Sequence, residues 1–143
     1  MLLPITLTLA AACAFINFWL GLRCSRLRMT GKVLHGDGGN PLLAKRMRAH
    51  ANFTEYAPIV LILMALVELA TGFSLWLWVA AAAFALGRIG HGLGMDADTP
   101  TPLRAGGIML TMVVMLGLAV TALVVAYQAT REVPAPPAMA ANV

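Results

Sequence analysis

Four long apolar segments, few charged residues and a one-sided distribution of basic residues predict an all-α fold, an integral membrane four-helix bundle. The chain of 143 residues is 60% hydrophobic and only 11% charged, whereas soluble domains carry about 25% charged residues. About 20 apolar residues in a helix cross the hydrocarbon core of a bilayer. The predicted spans lie at about residues 2–22, 53–71, 75–94 and 103–127.

The first two helices are separated by a polar linker. The first span ends at the basic cluster Arg23–Arg28, and the turn-rich sequence His35–Gly39 follows it. Asn40-Pro41 predicts the start of the second helix, because Asn is a strong N-cap and Pro is favoured at the first helical position. We expect this helix to run to about Thr71, over roughly 46 Å. It therefore begins outside the membrane and enters it near residue 53.

The second half of the chain also contains two apolar spans joined by a polar loop. The third span, 75–94, is followed by a tight polar loop that ends in Thr101-Pro102, a second cap-plus-proline start. The fourth span occupies about 103–127. Residues 1–130 therefore form one four-helix domain. Residues 131–143 are rich in Pro and Ala and predict a disordered tail.

The basic residues predict the orientation of the chain in the membrane. Nine of the ten Lys and Arg residues lie in or beside the first and third connections. Because basic loops stay in the cytoplasm, both termini are expected in the periplasm, and polar residues near these connections face the cytoplasm. Basic residues placed at bilayer edges also argue against a nucleic-acid partner.

A polar face on the second helix is the strongest indication of a binding site. Arg48, Asn52 and Glu55 are spaced at i, i+4 and i+7, so a helix places them on one side, with Tyr56 at the shoulder. Polar groups at a membrane edge are costly unless they bind something. An arginine, an amide and a carboxylate together suit a small zwitterionic anion. The alternative is a cluster of salt bridges and hydrogen bonds that joins helices.

Two further arginines lie at the same depth. Arg88 and His91 share one face of the third helix and either line the site or, for Arg88, reach the lipid headgroups. Arg104 lies in the first turn of the fourth helix, where the helix dipole already favours anions. An arginine at a helix N-terminus can stabilise a thiolate. The alternative for Arg104 is a cytoplasmic charge that only sets orientation.

Five other polar residues are expected to have no chemical role. Lys45 and Arg46 are predicted to contact lipid headgroups. His50 points away from Asn52 on the helix and is predicted to lie at the surface or at a helix contact. Glu68 is predicted to reach the headgroups at the other side of the membrane, and Asn17 to form a hydrogen bond between helices.

These patterns together resemble the MAPEG family, the membrane-associated proteins in eicosanoid and glutathione metabolism, and particularly its small bacterial inner-membrane members. The similarity extends over about residues 23–111, and the motif of the second helix is its most specific part. The shared patterns are Arg26-Leu-Arg28, Gly36-Asp-Gly-Gly39, Arg48-x-His50-x-Asn52-x-x-Glu55-Tyr56-x-Pro58 and Gly87-Arg88-x-x-His91.

The resemblance implies a homotrimer of four-helix protomers with glutathione bound between neighbouring subunits at the cytoplasmic side. It implies Arg104 as the catalytic residue, which would stabilise the glutathione thiolate. His91 and Met95 stand where the leukotriene-synthase branch has tyrosines, which puts part of the pocket in doubt. The glutathione-binding residues implied by position are Arg48, Asn52, Glu55, Tyr56, Arg88, Arg26 and His91.

The resulting hypothesis is a glutathione S-transferase of the inner membrane, with peroxidase activity as a variant of the same chemistry. The expected partners are membrane lipid and a lipophilic small-molecule substrate, with no metal. The alternative is a non-catalytic lipid-binding or scaffold protein of the same fold. A proton-coupled exporter is disfavoured, because its carboxylate should lie near mid-bilayer whereas Glu55 lies near the surface.

Overall fold

The computed structural model describes residues 2–132, and these residues form four helices: α1 (Pro4–Gly31), α2 (Pro41–Thr71), α3 (Leu75–Gly94) and α4 (Pro102–Glu132). All four helices are long and apolar enough to cross a membrane. The predicted all-α architecture with four spans is therefore confirmed. Of the tail that was predicted to be disordered, residues 131 and 132 belong to α4 and the rest lies outside the described residues.

The helices pack as a bundle in which α2 and α3 lie on the short diagonal. Helix α1 contacts α2 and α3, helix α4 also contacts α2 and α3, and α2 contacts α3 directly. Within residues 2–132, α1 and α4 do not contact each other. Side chains of α2 and α3 therefore meet inside the bundle, which places the predicted polar residues of these two helices close together.

The core is apolar, and so is most of the outer surface. On α1 the buried residues recur every three or four positions, from Ile5 through Leu9 and Cys13 to Leu20, which is one face of a helix. Large apolar side chains also cover the outside, including Phe15 at 75% and Leu123 at 71% exposure. Such a surface suits lipid or neighbouring protein rather than water.

Both predicted cap-plus-proline starts are present. The Asn40 side chain accepts hydrogen bonds from the backbone N–H groups of Leu42 and Leu43, at 3.0 and 3.1 Å. At the start of α4, the Thr101 hydroxyl accepts from the N–H of Arg104 at 3.2 Å and donates to the Gly94 carbonyl at 3.3 Å. Thr101 therefore caps α4 and ties its first turn to the end of α3.

Glu68 does not reach the headgroups, so the prediction for this residue is wrong. Its side chain is buried and caps the N-terminus of α1, where Leu3 provides no side-chain cap. The carboxylate accepts hydrogen bonds from the N–H of Ile5 at 3.0 Å, and from the N–H and hydroxyl of Thr6 at 2.8 and 2.7 Å. Free N–H groups and the helix dipole favour a carboxylate at this position over exposure to lipid.

Two further features join the helices, and the first agrees with the predictions for His50 and Asn17. His50 Nε2 lies 2.7 Å from Asn17 Oδ1, so the histidine joins α2 to α1 and Asn17 forms the expected hydrogen bond between helices. Glycines allow α3 and α4 to approach closely, because a Cβ at Gly107 would clash with the Gly87 carbonyl and lie 2.7 Å from the His91 nitrogen. This close approach brings α3 side chains against the start of α4.

Candidate functional site

Arg88 is the most unusual residue of the bundle. It belongs to α3, is 1% exposed and is among the largest fully buried side chains of the described chain. One guanidinium nitrogen donates to Asn52 Oδ1 of α2 at 2.8 Å, and another donates to the hydroxyl of Thr111 on α4 at 3.3 Å. Thr111 in turn donates to the Gly107 carbonyl at 2.9 Å. A single arginine therefore connects three helices.

The groups that contact the Arg88 guanidinium directly are neutral. Its guanidinium carbon lies 5.8 Å from the ring centre of Phe53 and 5.9 Å from that of Tyr56, and these rings offer cation–π contacts. Its Nε is buried and forms no hydrogen bond within the described part of the chain. Amide, hydroxyl and aromatic groups solvate a cation without neutralising it, so the charge of Arg88 is not compensated by these contacts.

The described carboxylates form their contacts with groups other than Arg88. The sequence has six acidic residues, of which Glu132 has a side chain outside the described part. Among residues 2–131, none of the ion pairs involves Arg88. Asp37 accepts from the Gly39 N–H in its own turn, and Glu68 caps α1. A buried cation with no ion-pair partner among residues 2–131 creates a place where an anion is stabilised.

The polar face of α2 lies directly outside this cation. Arg48 and Glu55 are exposed and form a loose ion pair, with 3.7 Å between nitrogen and oxygen. Asn52 and Tyr56 are half-buried between this pair and Arg88. The alternative of a cluster that joins helices holds for one contact, Asn52 to Arg88, whereas the Arg48–Glu55 pair stays within α2 and stands open to the surroundings.

His91 connects α3 to the start of α4. Its ring is buried, and Nδ1 lies 3.1 Å from the backbone carbonyl of Arg104, so Nδ1 carries the proton and donates it. The Arg104 side chain is exposed, and its guanidinium makes no hydrogen bond or ion pair within residues 2–131. His91 thus fixes the backbone that carries Arg104 and leaves the guanidinium free to meet a ligand.

Five of the eight predicted site residues form one group in a single protomer. They are Arg48, Asn52, Glu55, Tyr56 and Arg88, which α2 and α3 bring together. Arg104 and Arg26 are not joined to this group by any hydrogen bond or ion pair among the described residues. Both have exposed side chains, on α4 and α1 respectively.

A separate pair of arginines lies at the same end of the bundle and shares one carboxylate. Asp96, in the α3–α4 connection, pairs with Arg23 of α1 at 2.7 Å and with Arg46 of α2 at 2.8 Å. Arg23 also donates to the Gly92 carbonyl at 2.7 Å and stacks over Trp19. We call Arg23, Arg46 and Asp96 the Asp96 clasp. The Asp96 clasp was not predicted from the sequence, because its members lie up to 73 residues apart in the chain.

The clasp corrects the prediction that Lys45 and Arg46 contact lipid headgroups. Arg46 belongs to the clasp, and Lys45 pairs with the carboxylate of Asp98. Burial tends to raise the pKa of Asp96, but the hydrogen bond from Arg46 and the charge of Arg23 outweigh this effect and hold the pKa below its usual value. The pKa of Asp98 is also lowered, by its hydrogen bond with Lys45. Both cations therefore have carboxylate partners within the described part of the chain.

The sequence profile of the MAPEG family matches residues 6–124, most of the chain, and includes both arginine groups. The chain therefore belongs to the MAPEG family.

Two curated relatives are similar to part of this chain. Both are proteins named inner membrane protein YecN, from Escherichia coli strain K12 and from strain CFT073 of serotype O6:H1. Each is 46% identical to this chain over 44 residues, which are 31% of this chain and 34% of the relative. The match thus spans about a third of the length of each relative. Together with the four apolar helices, it supports a multi-pass protein of the inner membrane.

Proposed function

We propose that the protein is a glutathione S-transferase that stabilises the glutathione thiolate for attack on lipophilic electrophiles. The observation that supports this proposal best is the buried cation Arg88, which has no carboxylate partner among residues 2–131 and lies behind an exposed Arg–Asn–Glu face. Membership of the MAPEG family makes glutathione the first ligand to test.

The charges of glutathione complement those of the site. The tripeptide carries two carboxylates and one ammonium group. Arg48 and the positive field of Arg88 suit the carboxylates, and Glu55 suits the ammonium group. The Arg48–Glu55 pair is exposed and its atoms are 3.7 Å apart, so its exchange for ligand contacts costs little. The Asn52 amide group and the Tyr56 hydroxyl add neutral hydrogen-bonding groups at the same face.

Arg104 supplies the chemical step in this proposal. Its guanidinium, in the first turn of α4, lowers the pKa of a nearby thiol, whose proton passes to water. The thiolate sulfur then donates an electron pair to the carbon of the electrophile, and the bond to the leaving group breaks as the sulfur–carbon bond forms. For an aromatic chloride the products are the thioether and chloride. No oxidant or reductant is required.

The position of the site fits a substrate from the bilayer. Apolar residues follow the polar face along the exposed side of α2, including Ile59 at 48% and Ile62 at 60% exposure. A lipophilic electrophile can therefore reach the polar face from the hydrocarbon core while glutathione arrives from the water. This arrangement shields the reacting sulfur from bulk solvent, which strengthens its interaction with Arg104.

A homotrimer would complete the site. Arg104 and Arg26 are exposed and form no hydrogen bond or ion pair with the α2 face among residues 2–131, so we propose that a neighbouring protomer supplies them. In a cyclic assembly each interface joins two different surfaces of the same chain. Exposed apolar residues such as Phe15 and Leu123 provide the surface that such contacts would bury.

A non-catalytic lipid-binding or scaffold protein is the second candidate. It is favoured by the fact that the α2 polar groups already have protein partners: Arg48 pairs with Glu55, and Asn52 accepts from Arg88. In this reading the polar face only joins helices, and Arg104 has no ligand. The two candidates differ in whether a thiolate forms.

The test uses the purified full-length protein in detergent. Glutathione is added, the ultraviolet absorbance of the thiolate is followed, and conjugation to an activated aromatic chloride is measured. We expect a thiolate signal at neutral pH and turnover, both lost in Arg104→Ala. Absence of thiolate and turnover in the wild-type protein would reject the transferase and favour the second candidate.

The role of the neighbouring protomer can be tested by mixing subunits. Inactive Glu55→Gln and Arg104→Ala chains are co-expressed and purified together. If each site takes Glu55 from one subunit and Arg104 from the next, about one quarter of the sites in random trimers carry both intact residues. Activity near that fraction supports a shared site, whereas no recovery above either single variant places both residues in one protomer.

A further inference from the structure

The connection between α1 and α2 contains a second basic region that the proposed glutathione site does not use. Helix α1 has 28 residues, or about 42 Å, which exceeds a hydrocarbon core of ~30 Å. Its last turns therefore stand at the depth of the lipid headgroups. Here the end of α1 and the following residues form a groove of about 650 Å³, lined by Ser25, Arg28, Met29, Lys32, Val33 and Leu34.

The two cations of this groove have no carboxylate partner among the described residues. Arg28 donates to the Leu34 carbonyl at 3.1 Å and to the Met47 sulfur at 3.4 Å, and both acceptors are neutral. Lys32 is exposed and takes part in none of the ion pairs. Arg28 is thus held in place with its charge unneutralised, while Lys32 is free to reach a ligand.

Apolar side chains border these cations and stand fully open. Leu34 is 85% exposed and Met29 is 71% exposed. In water such exposure would be unfavourable, but at headgroup depth both side chains can insert among the glycerol and upper acyl groups. A concave surface lined by both cations and exposed apolar residues matches a phospholipid headgroup better than a soluble anion.

The neighbouring Lys45 and Arg46 show why this groove differs from an ordinary basic surface. They lie at the same end of the bundle but pair with Asp98 and Asp96. The chain therefore pairs Lys45 and Arg46 with carboxylates and leaves Arg28 and Lys32 with their charge available. Charge complementarity favours an anionic partner at the groove over one at Lys45 and Arg46.

We infer that the groove formed by Arg28, Met29, Lys32 and Leu34 binds the phosphate headgroup of an anionic phospholipid. The phosphate is held by Arg28 and Lys32, and the acyl chains continue along the apolar surface of α1. This inference does not depend on the proposed function. It concerns a different set of residues and a ligand that is already present in the membrane.

The experiment compares thermal unfolding of the full-length protein in detergent micelles doped with phosphatidylglycerol or with phosphatidylcholine of the same acyl chains. The variants are Lys32→Gln, Lys32→Arg and the matched control Lys45→Gln, which removes a lysine that is already ion-paired. Since one basic residue near an anionic surface contributes about 1 kcal/mol, Lys32→Gln should raise the half-saturating phosphatidylglycerol content about fivefold. Lys32→Arg and Lys45→Gln should behave like the wild type.

Three other results would overturn the inference. The first is equal stabilisation by the two lipids, and the second is an equal loss of the lipid effect in Lys45→Gln. The third is stabilisation by inorganic phosphate at the same phosphate concentration, which would identify a site for a free anion instead. An Arg28→Gln/Lys32→Gln variant that unfolds at the wild-type temperature in phosphatidylcholine but no longer responds to phosphatidylglycerol would support it.

Added glutathione separates this site from the proposed one. If the groove is independent, saturating glutathione leaves the response to phosphatidylglycerol unchanged in the wild-type protein. Displacement of the lipid effect by glutathione would assign Arg28 and Lys32 to the glutathione site and reject a separate lipid site. A failure of glutathione to bind at all would reject the proposed function and leave the lipid result standing.

Discussion

The Asp96 clasp and the surroundings of Arg88 use the same residue type at one end of the same bundle, with opposite results. In the clasp, Arg23 and Arg46 both contact one carboxylate within 2.8 Å, and backbone carbonyls accept further hydrogen bonds. Arg88 is more deeply buried but contacts only an amide, a hydroxyl and two aromatic rings.

The difference distinguishes the clasp arginines, which stabilise the fold, from Arg88, whose charge is available to a ligand. A buried ion pair contributes to stability only while both partners are present. A buried cation without a partner costs stability, and it persists where an external anion repays that cost on binding. The clasp therefore holds α1, α2 and the α3–α4 connection together, whereas Arg88 is the candidate for ligand binding.

The largest effect is expected from Arg104, which belongs neither to the Asp96 clasp nor to the contacts of Arg88. Arg104→Ala should lower the rate of conjugation by about 10²–10³-fold, the range seen when a group that stabilises a developing anion is removed. Initial rates at saturating glutathione and the apparent pKa of the bound thiol measure this effect. Arg131→Ala is the matched control, because Arg131 stacks on Tyr127 at the other end of α4 and should not change the rate.

Arg88→Gln tests the comparison directly. Loss of a buried charge that binds an anion costs about 2–3 kcal/mol, or about 30–150-fold in glutathione affinity measured by titration calorimetry. Without ligand the variant should be as stable as the wild type or more stable, because an uncompensated buried cation is removed. Arg23→Gln should do the reverse, with lower stability and unchanged affinity. Equal destabilisation by both variants would show that Arg88 is a structural residue like Arg23.

Asp96→Asn should destabilise the protein by about 1–3 kcal/mol, since it leaves the mostly buried Arg23 without its carboxylate. For a chain of this size, each kcal/mol lowers the melting temperature by about 2–4 °C. Asp98→Asn removes a carboxylate whose side chain is 96% exposed and should change the melting temperature little. If both variants melt alike, the clasp does not hold the connection.

Glu68→Gln probes a carboxylate that is paired with backbone rather than with arginine. The amide has one acceptor oxygen in place of two, so part of the α1 cap is lost, at a cost of about 1 kcal/mol. Thermal unfolding in detergent measures the cost. Glu55→Gln, which breaks only the exposed pair with Arg48, should stay within about 0.5 kcal/mol of the wild type. A larger loss in Glu55→Gln would mean that the α2 face supports the fold.

A pH titration gives the smallest effect. The folded-state pKa of Asp96 lies below its usual value, which is near 3.9 in the unfolded chain. The contribution of the clasp is therefore complete above about pH 4 and is lost as the pH falls through the folded-state pKa. Wild-type protein should lose more stability than Asp96→Asn over this acid range. Parallel curves for the two proteins would contradict the assignment.

Much of the architecture could be predicted from the sequence because local rules decide it. The spans follow from apolar length, and Asn40 and Thr101 cap the helices at which their pattern predicts a start. The shared face of Arg48 and Glu55 follows from helical spacing alone. The prediction for Glu68 was wrong, because its partners belong to the first turn of α1, more than 60 residues away.

The sequence by itself determined that four apolar helices cross a membrane, where two of them start, and which polar residues share a face of α2. Hydropathy, capping and helical period depend only on neighbouring residues, so these features can be read along the chain. The tertiary structure alone decided which arginines have a carboxylate partner: Arg23 and Arg46 share Asp96, but Arg88 has none among residues 2–131. The reason is physical, since charge compensation depends on distances between helices, and these distances arise only when the bundle packs.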